Sequence, residues 1–405
     1  MRFLHTSDWH LGQKFQYRDR TQEHKAALQW LIETIVAQKI DCLIVAGDIF
    51  DIGNPPNYAR RMYYRFLTRL LETTCRHIII IGGNHDSPAM LNAPKELLEA
   101  MNMYVIGTTT GTIQDQIIEL RTEKGELEAV VAAIPFLRDK DLRSSISGET
   151  GMQRIVAIRK GIKSHYDAIG AAMQSYQSQN IPLLAIGHLY VKGSYASEER
   201  ANIYIGDTEN IEAKQFPLTF DYIALGHIHR AQSFKGNERV QYSGSLIPLS
   251  FSETKDEKVV KVVAIEANEV KVSDIVVPLF RRLKSIHLDF EAMKIRLLQL
   301  HEDHKEELTV WVDAVVTDEK LIPNLDMELR DFVKNLNIEL LKIRTTFQSK
   351  NRQFSSTITD LKDLQPLDVF LQKCESQQLG AGETKELVHT FKELQAWMIE
   401  KEESD

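Results

Sequence analysis

Five short polar motifs carry residue types that phosphoester chemistry uses. They are Asp8-Trp9-His10, Gly47-Asp48 with Asp51 three residues on, Gly83-Asn84-His85-Asp86, Gly187-His188, and Gly226-His227-Ile228-His229. Together they supply carboxylates, an amide oxygen and imidazoles, and no sulfur. Such a set can hold two divalent cations sharing one carboxylate, the arrangement of two-metal phosphoester hydrolysis. Oxygen and nitrogen donors without thiolate exclude a structural zinc site and favour octahedral Mn²⁺, Fe²⁺ or Mg²⁺. Asp48, directly after a glycine, can bridge two cations with its two oxygens. Asn84 offers a neutral oxygen, and Asp8 and His10 can swing to one point. His85 is the expected general acid, giving a proton to the leaving oxygen. Asp86 is expected to accept from the other ring nitrogen, fixing the tautomer and raising the imidazole pKa. His188, His227 and His229 complete the set, and the two-residue spacing lets His227 and His229 serve one metal each. Asp51 reads as a turn or supporting residue. His24, His77, His165, His287 and His301 read as structural or surface histidines.

These motifs need elements that bring them together. Each follows an apolar run that reads as a strand, ending in Leu4-His5, Ile44-Val45-Ala46, Ile79-Ile80-Ile81, Leu184-Ala185-Ile186 and Ala224-Leu225. Polar motifs at successive strand ends gather at one sheet edge, where open α/β sheets bind ligands. Amphipathic helices are predicted over 19–38 and 57–73, the second carrying Arg60, Arg61, Arg65 and Arg69. Adjacent strands over 238–277 predict a mixed sheet, or a second sheet packed on the first. The boundaries predicted are 1–277 for an α/β domain, 278–347 for a small α+β module, 348–365 for a polar linker, and 366–405 for two helices. Gly380-Ala381-Gly382 is expected to turn between those helices. Leu387, Phe391, Leu394 and Met398 form one stripe with Trp397 beside it, which forty residues cannot bury alone. A docking surface for a partner is one reading, and packing back on the same chain the other.

The chain has 405 residues and a formal net charge of −8, so a broad basic surface is not expected. Residues 366–405 hold nine acids against Lys373, Lys385, Lys392 and Lys401, leaving the rest nearly neutral. Contact with nucleic acid must then come from local clusters, from metals or from a partner. Lys14, Phe15, Tyr17, Arg18 and Arg20 follow the first motif, and Tyr58, Arg60 and Arg61 follow Asp51. Of these, Lys14, Phe15, Tyr58, Arg60 and Arg61 are the expected DNA contacts, while Arg65 and Arg69 also read as a solvated helix face. Cys42, Cys75 and Cys374 are scattered, and Cys42 and Cys75 sit beside apolar strands, so no disulfide framework is predicted. The chain opens into a strand without an apolar leader, and no run approaches membrane length. The expectation is a cytoplasmic protein.

The order of motifs resembles the calcineurin-like metallophosphoesterase superfamily. The segments His5-Thr6-Ser7-Asp8-Trp9-His10-Leu11-Gly12, Val45-Ala46-Gly47-Asp48-Ile49-Phe50-Asp51, Tyr222-Ile223-Ala224-Leu225-Gly226-His227-Ile228-His229 and Tyr242-Ser243-Gly244-Ser245-Leu246-Ile247-Pro248-Leu249-Ser250-Phe251 resemble its SbcD family of nuclease subunits. Ser243 stands where the family pattern leads one to expect cysteine. The resemblance implies an α/β fold: a metallophosphoesterase mixed β-sandwich flanked by helices, a small α+β capping domain and C-terminal helices. It implies that Asp8, His10, Asp48 and His229 hold one ion and Asp48, Asn84, His188 and His227 the other, with Mn²⁺ as the metal. His85 with Asp86 would be the catalytic acid. It further implies a double-strand 3′–5′ exonuclease and single-strand or hairpin endonuclease acting on DNA ends. The partner implied is an SbcC-type coiled-coil ATPase, docked on the C-terminal helices, around a homodimer within a heterotetramer. The competing readings are a phosphoesterase acting on a phosphoprotein or small phosphodiester, and a non-catalytic DNA-end scaffold.

Overall fold

The computed structural model describes residues 1–143, 148–195, 211–266, 269–318 and 322–346, with ten further helical positions between 367 and 392. The chain divides into two units, Met1–Thr346 and Phe347–Asp405.

The first unit is built on two six-stranded sheets. In one, Arg2–Thr6, Cys42–Ala46, His77–Ile81 and Met103–Ile106 lie parallel. The hairpin Val259–Glu266 and Glu269–Val276 extends it antiparallel beside Arg2–Thr6. In the other, Leu127–Ala133, Leu183–His188, Tyr222–Gly226 and Asn237–Tyr242 lie parallel between antiparallel edge strands. The adjacent late strands thus serve both sheets. The central strands Cys42–Ala46 and His77–Ile81 are buried at every position and apolar but for His77, as strands covered on both faces must be.

The two sheets pack face to face through Phe3, Ile44, Ile79, Val131, Ile186 and Ala224. Helices Thr21–Ala37 and Asn57–Leu70 cover the outer face of the first sheet. In the second of these helices Ala59, Met62, Tyr63, Phe66, Leu67 and Leu70 are buried. That spacing gives one apolar stripe and leaves the arginines outside. Helix Gly151–Ala172 covers the second sheet, its start fixed by a capping box between Thr150 and Gln153.

Residues 283–345 form a separate three-stranded parallel sheet, Leu283–Leu288, Val310–Val316 and Ile338–Thr345, with helices Phe290–His304 and Leu325–Val333 and a core of its own. Phe15, Phe251, Leu283 and Trp311 join it to the sandwich.

In the second unit, Phe370 and Phe391 stack with ring centroids 4.2 Å apart, and Cys374 is buried. Gly382 is helical, so the turn predicted over 380–382 does not include it. Leu387 is exposed, whereas Phe391 is half-buried against Phe370 within its own unit. Leu394, Trp397 and Met398, and the linker predicted over 348–365, lie outside the described residues. All three cysteines are free and buried.

Candidate metal centre

The loops after the parallel strands are held against one another by backbone bonds. Asp8 N donates to the Gly47 carbonyl at 3.0 Å, His10 N to Asp48 at 3.0 Å, and Leu11 N to Ile49 at 2.9 Å. Asp8, His10, Asp48 and His227 all take positive φ, at 52°, 46°, 50° and 102°. Each such residue costs on the order of 1–3 kcal/mol, a strain that concentrates at functional sites. Gly47, at φ 85°, has no room for a side chain, because a Cβ there would collide with the His188 ring. A Cβ on Gly226 would strike the Ala46 carbonyl, so this glycine lets the two sheets meet at the site.

Among the described residues, three groups of side chains present ligand atoms within 4.8 Å of one another: Asp8, His10 and His229; Asp48, His188 and His227; and His10, Asp51 and His85. Asp48 Oδ2 lies 3.6 Å from His10 Nε2 and 3.3 Å from His188 Nε2, so one oxygen faces both of the first two groups. Asn84 Oδ1 is 3.0 Å from both His188 Nε2 and His227 Nδ1.

The imidazoles are oriented from behind. His188 Nδ1 contacts the Ala46 carbonyl at 2.8 Å, His10 Nδ1 contacts Asp51 Oδ1 at 3.1 Å, and His229 Nδ1 lies 3.4 Å from Glu253 Oε1. An oxygen acceptor at one nitrogen leaves the other as a ligand atom, the usual way a protein fixes a metal-binding tautomer. His10 Nε2 is buried and has no hydrogen-bond partner. A buried polar atom without a partner is costly, and a cation at this point would satisfy it. The donor set, with one oxygen shared between two groups, fits a pair of divalent ions.

The electrostatics show how crowded the centre is. Burial drives the Asp48 carboxyl up, but the neighbouring imidazoles of His188, His10 and His85 together outweigh it and hold the group well below the usual carboxylate range. Burial pulls His188 down, and Asp48 more than reverses this, raising it to about 9. Burial, with the Asp48 charge adding to it, raises Asp8 despite the neighbouring imidazoles.

Asp86 does not serve His85 as expected. Its two oxygens accept from the backbone N–H groups of Ile49, Phe50 and Gly83 at 3.1, 2.9 and 2.9 Å. It fastens the Asp48 loop to the Asn84 loop, and burial pushes it up to about 6. The His85 ring is placed by the Asp51 carbonyl instead, 2.7 Å from Nδ1.

Phe15 is also corrected. It is buried, stacked on Trp311 at 5.7 Å and edge-on to Phe251, so it offers no face to DNA. Arg20 is buried as well, bound to Glu23 and the Pro248 carbonyl. Arg18 pairs with Glu339. Of the other expected DNA contacts, Lys14 and Arg61 are exposed, Arg60 bonds Asn57 Oδ1 at 2.5 Å, and Tyr58 donates to the Gly12 carbonyl at 3.2 Å.

Sequence reasoning missed Glu253 and Lys258. Lys258 Nζ donates to Glu253 at 2.7 Å, to the His229 carbonyl at 2.8 Å and to Ser245 Oγ at 2.9 Å. It missed Phe136 too, whose ring lies 6.3 Å from that of His188 and 6.5 Å from that of His227.

Residues 1–231 match the family model for calcineurin-like phosphoesterases. A curated relative, the SbcD subunit of nuclease SbcCD from Escherichia coli (strain K12), is 36% identical over 96% of this chain and 97% of its own. The chain belongs to the calcineurin-like phosphoesterases, in the SbcD family of nuclease subunits. Relatives of the same name in Bacillus subtilis (strain 168) and Rhodobacter capsulatus extend the likeness. The first is 28% identical over 99% of this chain and 100% of its own. The second is 37% identical over 62% of this chain and 64% of its own. Residues 279–378 of this SbcD-family chain match the model described as the type 5 capsule protein repressor C-terminal domain. It is a metal-dependent hydrolase of the metallophosphoesterase fold, and among the described residues no helix is long and apolar enough to cross a membrane.

Proposed function

We propose that the chain is the nuclease subunit of an SbcC–SbcD-type complex and hydrolyses DNA phosphodiesters at ends and hairpins. The observation that carries this reading is the single Asp48 oxygen faced by two groups of buried ligand atoms. Asp8, His10, Asp48 and His229 would hold one ion, and Asp48, Asn84, His188 and His227 the other. Bound Mn²⁺ ions would supply the Lewis acidity and lowered water pKa that two-metal hydrolysis uses. The protein's own part is positional. Asp51 aims His10 with its side chain and His85 with its carbonyl. The His85 ring stands edge-on to His10, 4.8 Å away by centroid. With Nδ1 engaged, Nε2 is the position from which a proton reaches the leaving oxygen. Asp86 holds the two loops in register. In this reading the 278–347 module caps the nuclease site, residues 366–405 engage a coiled-coil ATPase, and the complex works in the cytoplasm around a dimer of nuclease subunits.

The test uses the purified chain with Mn²⁺ and end-labelled linear duplex. Wild type is expected to degrade the duplex and chelator to stop it. His85→Ala should keep its metal, read by calorimetry, and lose about 10²–10⁴-fold in rate. Hydrolysis of a small phosphodiester with intact DNA would keep the centre and reject DNA as the substrate of the isolated chain.

A further inference from the structure

Helices Thr21–Ala37 and Asn57–Leu70 enclose a groove of about 520 Å³ on the outside of the first sheet. Its floor is Leu28, Ile32, Met62 and Phe66, buried residues of the sandwich's outer core. Its rim is Lys25 on one helix and Arg61, Arg65 and Arg69 on the other, all exposed. No acidic residue lines it. None of the four cations forms a side-chain hydrogen bond or ion pair among the described residues, in a chain where most arginines do. The three arginines recur every fourth residue, so they stack along one helix face about 6 Å apart. Like charges at that spacing repel and weaken the helix. Four uncompensated cations in a chain of net charge −8 are therefore not a by-product of a basic surface.

The groove also has a direction. One end is Thr21 and Tyr58, where both helices start, and the Tyr58 hydroxyl donates to the carbonyl of Gly12 in the loop that follows His10. The other end is Ile32 and Arg69. The arginine row thus starts beside the metal loops and leads away for about 12 Å, a length over which one duplex strand carries three or four phosphates.

We infer that this row is a phosphate track: Arg61, Arg65, Arg69 and Lys25 hold the backbone of the DNA strand beyond the bond being cut. The inference rests on the nuclease reading and adds the path of the substrate. It gives Arg65 and Arg69, equally readable as a solvated helix face, a ligand of defined chemistry. The contacts go to phosphates alone, so the track is indifferent to sequence.

The experiment uses the full Mn²⁺-loaded chain carrying His85→Ala, so that a labelled duplex survives. Binding is followed by anisotropy from 50 to 200 mM salt, with and without R61Q/R65Q/R69Q. The triple variant is expected to bind about tenfold or more weakly at the higher salt, with a log–log salt slope shallower by about 0.9 for each arginine engaged. In the chain with His85 intact, the same three substitutions should leave hydrolysis of a small phosphodiester unchanged, because no track residue touches the centre. Equal affinity and slope in the two proteins would overturn the track, and would assign the groove to an acidic protein segment instead. That result, with wild type still cutting DNA, leaves the nuclease reading standing. A wild type that binds no duplex at all removes both.

Discussion

His229 is held by a carboxylate that is held in turn by a lysine, and both are buried behind the metal ligands. Burial alone would drive the Glu253 carboxyl up, yet Lys258 and His229 keep it well below the usual range. Removing one member of such a pair strands the other charge, which costs about 3–5 kcal/mol. Glu253→Gln is therefore expected to lower unfolding stability by that order in urea. The amide also binds His229 Nδ1–H less strongly than a carboxylate, so the ligand loses orientation and basicity. Losing a partner of this kind typically costs 10–100-fold in metal affinity, and calorimetric titration with Mn²⁺ should show that loss for the ion near His229. A drop in stability with unchanged metal affinity would make Glu253 purely structural.

At the scale of elements, the mostly apolar sandwich interior is interrupted by His5, on Arg2–Thr6, which crosses to the other sheet. Its Nδ1 lies 2.9 Å from the Tyr222 hydroxyl and its Nε2 3.1 Å from the Leu225 carbonyl. Burial, helped by the charge of Lys261, lowers His5 to about 3. The unfolded chain takes up this proton near the ordinary histidine value while the folded one refuses it, so the unfolded state binds more protons between about 6.5 and 3. Stability from this residue is thus full above that window and falls as pH drops through it, by up to about 1.4 kcal/mol per pH unit. Denaturation of the metal-free protein from pH 8 to pH 4 should show a smaller slope for His5→Gln, and an equal slope would rule out the crossing histidine as its source. The sheets themselves were legible in the sequence. Runs such as Leu43-Ile44-Val45-Ala46 and Ile78-Ile79-Ile80-Ile81, short and rich in β-branched residues, read as buried strands, and the polar motifs mark where each ends. The outer residues of the centre were not legible. Glu253 lies 24 residues after His229 and Lys258 lies 29 after it. Neither sits in a motif, and each becomes meaningful only when the chain folds back. Asp86 beside His85 invited a pairing that the loop geometry gives to the Asp51 carbonyl.

At the scale of the whole first unit, the 283–345 module is tied to the metal centre through one short turn. Phe251–Glu253 is a 3₁₀ turn whose phenylalanine packs on Phe15 in the seam and whose glutamate holds His229. On the module's side Trp311 stacks on Phe15, and Arg281 lies over Trp311 at 4.2 Å while pairing with Glu23 at 3.1 Å. Phe15 read as a DNA contact because its burial depends on a sheet some three hundred residues further along the chain. Trp311→Ala opens this seam without touching the module's own core, which is built from other residues. A large aromatic lost from a buried site costs about 3–5 kcal/mol, and here the loss falls on the joint between two separately cored layers. Calorimetry should then resolve two transitions, the module melting below the sandwich. Metal affinity should fall by less than the 10–100-fold expected on losing a ligand's direct partner, because the Phe251–Glu253 turn loosens but keeps its carboxylate. Small-phosphodiester hydrolysis should persist while cutting of duplex ends declines, as the proposed capping role of the module requires. A single unshifted transition with DNA cutting intact would show that the seam does not couple the module to the centre.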